Sequence, residues 1–169
     1  RTLTLFGEIN QDVARRMAEK LLALAFESDD PITLYIGSPG GHVESGDSIF
    51  DLIRYIKPEV RIIGTGWVGS IATHIYLAAD KDNRLALPNT RFLIHQPSGG
   101  FGGDAADIEI HAREILKTRE RINGIIAERT GQSVERVSED TQRDYWMSAE
   151  ESVEYGLVGK IINDISEVS

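Results

Sequence analysis

The sequence predicts an α/β fold with a largely parallel β-sheet. Short runs of β-branched and aliphatic residues alternate along the chain with longer stretches whose apolar residues recur every three to four positions. Gly and Pro mark most of the junctions, and no internal repeat interrupts the alternation. This alternation is typical of βαβ units, in which successive strands run parallel. We expect the 169 residues, 1–169, to form a single domain.

The first half of the chain predicts three strands, each followed by a helix. Asn10 is suited to cap the first helix, whose apolar residues fall on one face, and Pro58 ends the second helix. The third helix is mostly apolar, so we expect it to be buried. The predicted strands cover residues 2–6, 32–36 and 60–63, and the predicted helices cover 10–26, 43–57 and 70–79.

The second half predicts three more strands and two helices. A glycine-rich segment precedes a long helix, and a capping box at Ser148 to Glu151 starts a short helix that Gly156 ends. The long helix is more than a compact α/β unit requires, so we expect it to project and pack on a partner. The predicted strands cover 84–87, 91–94 and 158–162, the glycine-rich segment 98–103, and the long helix 104–129.

The composition argues against several functions. The net charge of −9 leaves no basic excess to neutralise phosphates, so we expect no nucleic-acid partner. No uncharged apolar run approaches the roughly 18 residues that span a bilayer, and we expect no membrane contact. The absence of cysteine excludes disulfides and a cysteine nucleophile, and it fits a cytoplasmic protein. The four histidines are dispersed, so we expect no catalytic metal.

Two residues at predicted element ends suggest nucleophilic chemistry. Ser70 stands between a glycine turn and an apolar helix, where the free N–H groups of a helix start favour an oxyanion. His95 ends a predicted strand, where a parallel sheet presents functional groups. Each residue also fits a structural role, Ser70 as a helix N-cap and His95 as the partner of a backbone carbonyl.

Two further segments supply the remaining groups of a serine hydrolase site. Asp140 and Asp144 lie in a polar connection, where either could orient an imidazole or remain solvated. The Ser38-Pro39-Gly40-Gly41 loop can turn backbone N–H groups toward an anion, although it also fits an ordinary tight turn. A nucleophile, a base, a carboxylate and two N–H donors are what acyl transfer requires. Their order in the chain, Ser-His-Asp, differs from that of three well-known serine hydrolase folds.

Several sequence motifs occur in an order that is typical of one peptidase family. They are Ser38-Pro39-Gly40-Gly41, Leu87-Pro88-Asn89, Ile94-His95-Gln96-Pro97, the helical stretch 107–116 and Tyr155-Gly156-Leu157-Val158. Through them the chain, from Arg1 to about Ile162, resembles the proteolytic subunit of the Clp protease, a serine peptidase of the ClpP type.

The resemblance implies a role for each matching residue. Ser70 would be the nucleophile, His95 the general base, and Asp144, not Asp140, the orienting carboxylate. The backbone N–H groups of Gly41 and Ile71 would form the oxyanion hole. Substrate-binding positions would be Gly40, Gln96, Pro97, Gly99 and Gly100.

The resemblance also implies architecture and partners. We expect a crotonase/ClpP-like fold of βαβ units with a projecting handle helix, the handle region covering about 98–130. Two heptameric rings of this homo-oligomer would stack around a chamber. An AAA+ ATPase unfoldase would supply unfolded polypeptide substrates. The chain has no P-loop, so we expect it to bind neither ATP nor another cofactor.

Three alternatives remain open from sequence. Gly69-Ser70-Ile71-Ala72 departs from the Ala-Ser-Met-Gly that is usual in the family, and Gln142 replaces a frequent acid. These departures would suit a non-catalytic or regulatory ring subunit that needs an active paralogue. A crotonase-type acyl-CoA enzyme would share the fold but use glutamates. His74, four residues after Ser70, is a rival base, although no carboxylate partner for it is evident in the sequence.

Overall fold

The computed structural model describes residues 1–100 and 102–168, and these contain one seven-stranded sheet. The strand order is β1-β2-β3-β4-β7, with β5 added beside β3 and β6 beside β5. Within the described residues all pairings are parallel except β5 with β6. The strands are β1 Thr2–Phe6, β2 Ile32–Ser38, β3 Val60–Gly69, β4 Arg84–Ala86, β5 Arg91–Ile94, β6 Tyr145–Met147 and β7 Lys160–Ile161.

The capping residues predicted for the first helix and for the short helix after Ser148 are present in the structure. Asn10 Oδ1 accepts a hydrogen bond from the Val13 N–H, as predicted for the first helix. The predicted capping box of Ser148 and Glu151 and the left-handed Gly156 after it are also present. The helices are α1 Gln11–Glu27, α2 Val43–Tyr55, α3 Ile71–Tyr76, α4 Ala105–Thr130, α5 Val134–Asp140 and α6 Ala149–Tyr155.

The central strands supply much of the core. β2 alternates between fully buried and half-buried residues, and Ile32, Leu34 and Ile36 have no exposed surface. Burial of each such side chain contributes about 1.5–3 kcal/mol. α1 packs on this core through Met17 and Leu21, as its apolar stripe predicts. All six residues of α3 are buried, which confirms the prediction made from its apolar sequence.

The long helix α4 is buried at only one end. Its second half packs through Ile122 and Ile126. Residues 105–110 are exposed, and Ile108 and Ile110 leave 46% and 55% of their surface accessible. Within this chain, the buried residues of α4 therefore all lie in its C-terminal half.

The structure differs from several predicted element bounds, most of all in β3, in α3 and in the stretch before Ser148. β3 continues to Gly69 instead of ending at Ile63. A shift in its register against β2 and a positive φ at Gly66 allow the strand to continue past its glycines. Helix α3 ends at Tyr76, not at residue 79. Helix α5 and strand β6 were not predicted, because both are short and lie in a polar stretch without clear apolar periodicity.

Candidate active site

Ser70 occupies a strained backbone position between β3 and α3. Its φ of 55° is the only positive φ of a non-glycine residue in the described part of the chain, a conformation that costs on the order of 1–3 kcal/mol. Gly69 lies opposite Leu93 in the β3–β5 pairing, and the Ser70 N–H donates to the Leu93 carbonyl at 2.9 Å. Thr73 Oγ1 lies 3.0 Å from the carbonyl oxygens of both Val68 and Leu93, which secures the helix start. Ser70 stands at the N-cap position of α3, but its side chain makes no capping hydrogen bond.

Strand pairing brings His95 and Asp144 together. β5 and β6 run antiparallel with Ile94 opposite Tyr145, so the adjoining residues His95 and Asp144 lie side by side where the pairing ends. The Gln96 N–H donates to the Thr141 carbonyl at 2.7 Å and holds the two connections at this spacing.

The three side chains form one hydrogen-bonded chain. His95 Nε2 lies 2.8 Å from Ser70 Oγ, and His95 Nδ1 lies 3.1 Å from Asp144 Oδ1. The imidazole is 26% exposed and the Asp144 carboxylate 64% exposed. Asp140, the other candidate carboxylate, instead bonds Arg136 at 2.8 Å and the Tyr155 hydroxyl at 2.9 Å. The geometry thus selects Asp144 as the partner of the imidazole.

The Pro-Gly-Gly loop lies directly against the serine. Gly40 donates its N–H to Ser38 Oγ at 3.1 Å, and a Cβ on Gly40 would stand 3.1 Å from the Ile71 nitrogen. Gly41 has φ +149°, and a Cβ there would lie 2.2 Å from the Ile9 carbonyl oxygen. Glycine is therefore required at both positions. Within the described residues no acceptor is found for the N–H of Gly41 or Ile71, so both can bond an oxyanion.

One cavity is lined by both Ser70 and His95, and a second cavity begins at the neighbouring Gly41. A narrow pocket is lined by Ser70, His95 and Pro97 together with aliphatic side chains from α2, β5 and α4. A second cavity, of about 360 Å³, runs between the loop at Gly41, the segment from Pro97 to Gly99 and helix α4. An extended chain lying in this second cavity would pass close to the serine.

The remaining predicted substrate positions are distributed around this second cavity, the groove between Gly41 and α4. Gly99 and Gly100 are exposed, next to Phe101, which belongs to the predicted glycine-rich segment and lies outside the described residues. The Gln96 side chain donates to the Gln142 carbonyl at 3.0 Å, so it braces the connection that carries the carboxylate.

His74 does not act on the serine hydroxyl, which bonds His95 instead. The sequence shows no evident carboxylate partner for His74, but the structure supplies one, since its Nε2 lies 3.1 Å from Asp47 Oδ1. Arg121 binds both oxygens of Asp47, at 2.9 and 2.6 Å. Burial raises the pKa of Asp47, but its contacts with His74 and Arg121 outweigh burial and bring the pKa to about 2. Sequence reasoning missed this trio because its members come from three separate helices.

The other histidines lie apart from the hydrogen-bonded chain. His42 Nδ1 lies 2.8 Å from Ser45 Oγ, and His42 lines the groove, as does His111 on α4. In residues 1–100 and 102–168 no three His, Asp or Glu side chains converge on a possible metal site. No helix in the same part of the chain is long and apolar enough to cross a membrane.

The Ser70 hydroxyl bonds an imidazole, and the imidazole in turn faces a carboxylate. Two free backbone N–H groups lie beside the serine. Hydrolases that attack acyl carbons have this arrangement. On this α/β fold, comparison with known proteins gives the family. Residues 1–164 match the family model described as Clp protease. The chain is 55% identical over 168 residues to the ATP-dependent Clp protease proteolytic subunit 3 of Rhizobium etli, covering 99% of this chain and 87% of that protein.

Two further comparisons agree with the first. Subunit 2 of the Pseudomonas aeruginosa protease is 53% identical, covering 100% of this chain and 84% of that protein. The solved structure of a ClpP1 point mutant from Listeria monocytogenes superposes with a TM-score of 0.95 at 52% identity, covering 100% of this chain and 95% of the other. The chain belongs to the Clp protease family as a proteolytic subunit, and the predicted family, ClpP-type fold and peptidase function are confirmed.

Proposed function

We propose that this subunit is a serine endopeptidase that hydrolyses peptide bonds of unfolded proteins through an acyl-enzyme. The observation that carries the proposal is the continuous contact from Ser70 Oγ through the His95 ring to Asp144, at 2.8 and 3.1 Å. The family supplies the substrate class, since its members are peptidases.

In the first step Ser70 Oγ attacks the carbonyl carbon of a peptide bond. His95 Nε2 accepts the hydroxyl proton as the oxygen–carbon bond forms, and it later donates that proton to the leaving amine nitrogen. Asp144 accepts from His95 Nδ1–H, which fixes the tautomer in which Nε2 can act as a base. Water, activated by the same imidazole, then cleaves the acyl-enzyme ester and restores the serine.

The Gly41 and Ile71 N–H groups stabilise the tetrahedral oxyanion in this mechanism. Removal of one such donor typically costs about 10²–10³ in kcat. Ile71 and Ala72 stand where the family usually has methionine and glycine. The oxyanion donor is retained, because the donor at residue 71 belongs to the backbone and Ala72 is fully buried in α3.

The substrate backbone would lie in the groove between Gly41 and α4. We propose that it pairs as an added strand with the segment that contains Pro97, Gly99 and Gly100, with Gly40 beside the scissile bond. The exposure of both glycines and the absence of atoms within 4 Å of a Cβ on Gly100 support free access to that segment.

The proposal also includes assembly into two stacked heptameric rings, to which an AAA+ ATPase delivers substrates. Residues 1–169 form one peptidase domain, and about 98–130 form its handle. The relatives' names include "ATP-dependent", which supports an ATPase partner. The apolar side chains exposed on the first half of α4 support a contact between subunits there, since such residues otherwise lie in water.

Substitution of the serine tests the proposal. Ser70→Ala should abolish both cleavage of a fluorogenic peptide and labelling by a fluorophosphonate, while the assembled mass in solution stays that of the wild type. Ser48→Ala is the matched control, because this serine on the exposed face of α2 bonds only the Glu44 carbonyl at 2.9 Å. Peptide cleavage by Ser70→Ala near the wild-type rate would refute the assignment, and an unlabelled, inactive wild type would favour the regulatory alternative.

A further inference from the structure

The narrow pocket beside Ser70 contains one polar side chain that the proposed mechanism does not use. Its walls are mainly aliphatic, from Ile71, Ile94, Ile122 and other residues, and His74 joins them. A pocket that touches both the nucleophile and the oxyanion-binding residue 71 is in reach of the side chain whose own carbonyl is attacked. His74 is therefore positioned to contact that substrate side chain.

The His74 ring is held in one orientation. It is 2% exposed and stacks on Phe50 with a centroid distance of 4.3 Å and an angle of 18° between the rings. Its Nε2 lies 3.1 Å from Asp47 Oδ1, within ion-pair distance of that carboxylate. Asp47 is fixed in turn by the two bonds from Arg121.

Both ring nitrogens are buried without a hydrogen-bond partner among the described residues, and Nε2 faces the Asp47 carboxylate. A carboxylate can only accept, so in the neutral ring the proton sits on Nε2, which faces Asp47, and Nδ1 presents a lone pair. Nδ1 is buried and has no hydrogen-bond partner among the described residues. A buried acceptor without a partner is costly, and a ligand group that donates to it is correspondingly favoured.

Resting on the proposed function, we propose that His74 is a specificity-determining residue. It accepts a hydrogen bond through Nδ1 from the substrate side chain that precedes the cleaved bond. The narrowness of the pocket favours a short side chain, and the lone pair favours one with an N–H donor. Asparagine satisfies both conditions. Leucine and ionised aspartate have nearly the same size but no donor.

Three fluorogenic peptides that differ only in having Asn, Leu or Asp before the cleaved bond test this inference. The assembled wild-type protein should give a higher kcat/KM for Asn than for Asp. In His74→Phe, which keeps a ring to stack on Phe50, the Asn-to-Leu ratio of kcat/KM should fall about tenfold. In His74→Asn, whose side-chain oxygen can replace the Nδ1 acceptor, the ratio should stay within about threefold of the wild type.

Different outcomes separate this inference from the proposed function. An unchanged Asn-to-Leu ratio in His74→Phe, or a wild type that cleaves after Asp as well as after Asn, overturns the role of His74 while the peptidase assignment stands. Absence of all cleavage, together with an unlabelled Ser70, overturns both. The comparison of Asn with Asp uses the wild type alone, so it can overturn the role of His74 even if His74→Phe does not assemble.

Discussion

Replacement of Asp144 by asparagine isolates the contribution of one carboxylate to catalysis. The two side chains have the same shape, so the His95 ring keeps its place, but an amide can donate to Nδ1 and so favour the tautomer whose Nε2 carries the proton. That tautomer cannot take the proton of Ser70. The variant also removes the negative charge that faces the imidazolium as it forms.

The exposure of Asp144 limits the size of this effect. At the observed 3.1 Å, two unit charges attract by about 1 kcal/mol in bulk water and by about 5 kcal/mol at an effective dielectric constant of about 20. With 64% of the carboxylate exposed, an intermediate value applies. Since about 1.4 kcal/mol corresponds to a factor of ten, we expect kcat to fall by about 10²–10³, less than the roughly 10⁴ found when a buried triad aspartate is replaced.

The assay is steady-state cleavage of a fluorogenic peptide, with kcat and KM determined separately across pH. KM should change little, since Asp144 lines no part of the pocket beside Ser70. Asp140→Asn is the matched control: it also removes an aspartate charge from the same connection, but its partners are Arg136 and Tyr155. A kcat for Asp144→Asn within threefold of the wild type, or a larger loss in Asp140→Asn, would refute the role given to Asp144.

Two further predictions concern the loop and the buried charges. Gly41→Ala should lower kcat by about 10²–10³ because its Cβ would stand 2.2 Å from a carbonyl oxygen and displace an oxyanion donor. Gly7→Ala, also at positive φ but with no atom within 4 Å of its Cβ, should leave kcat unchanged; equal losses would contradict this. Burial raises the pKa of Asp47, but His74 and Arg121 hold it at about 2, below the usual 3.8. The ionised Asp47 therefore stabilises the folded protein above pH 4, and this contribution is lost as the pH falls toward 2. By calorimetry, Asp47→Asn should lower the Tm at pH 7 and flatten its fall between pH 4 and 2; an equally steep fall would count against this.

Much of the scaffold could be predicted because local chemistry determines it. The caps at Asn10 and Ser148 and the turn at Gly156 depend on residues within three or four positions of each other. β3 could not be predicted to its full length, because its glycines indicate a turn while its pairing with β2 and β5 keeps the chain extended. There, tertiary hydrogen bonding outweighs local preference.

The residue types of the candidate site could be predicted from sequence, but the choice of its carboxylate and the contacts around it could not. Ser70, His95 and the Gly40–Gly41 loop each follow a strand, and that position is visible in sequence. The choice between Asp140 and Asp144 came only from resemblance, since both lie in one polar stretch. The contact between His74 and Asp47 had no signal in sequence, because side chains on different helices approach only after the helices pack.

Sheet topology explains how side chains 25 and 49 residues apart form one chain of hydrogen bonds. β5 lies between β3 and β6, so the segments that follow β3 and β5 and the one that precedes β6 emerge at the same edge of the sheet. At that edge Ser70 adopts its strained φ, which the bonds from its own N–H and from Thr73 hold in place. The hydrogen bonds between β3 and β5 thus keep Ser70 in its strained backbone conformation. We therefore expect that weakening this pairing would impair the alignment of Ser70 with His95 before it unfolds the rest of the core.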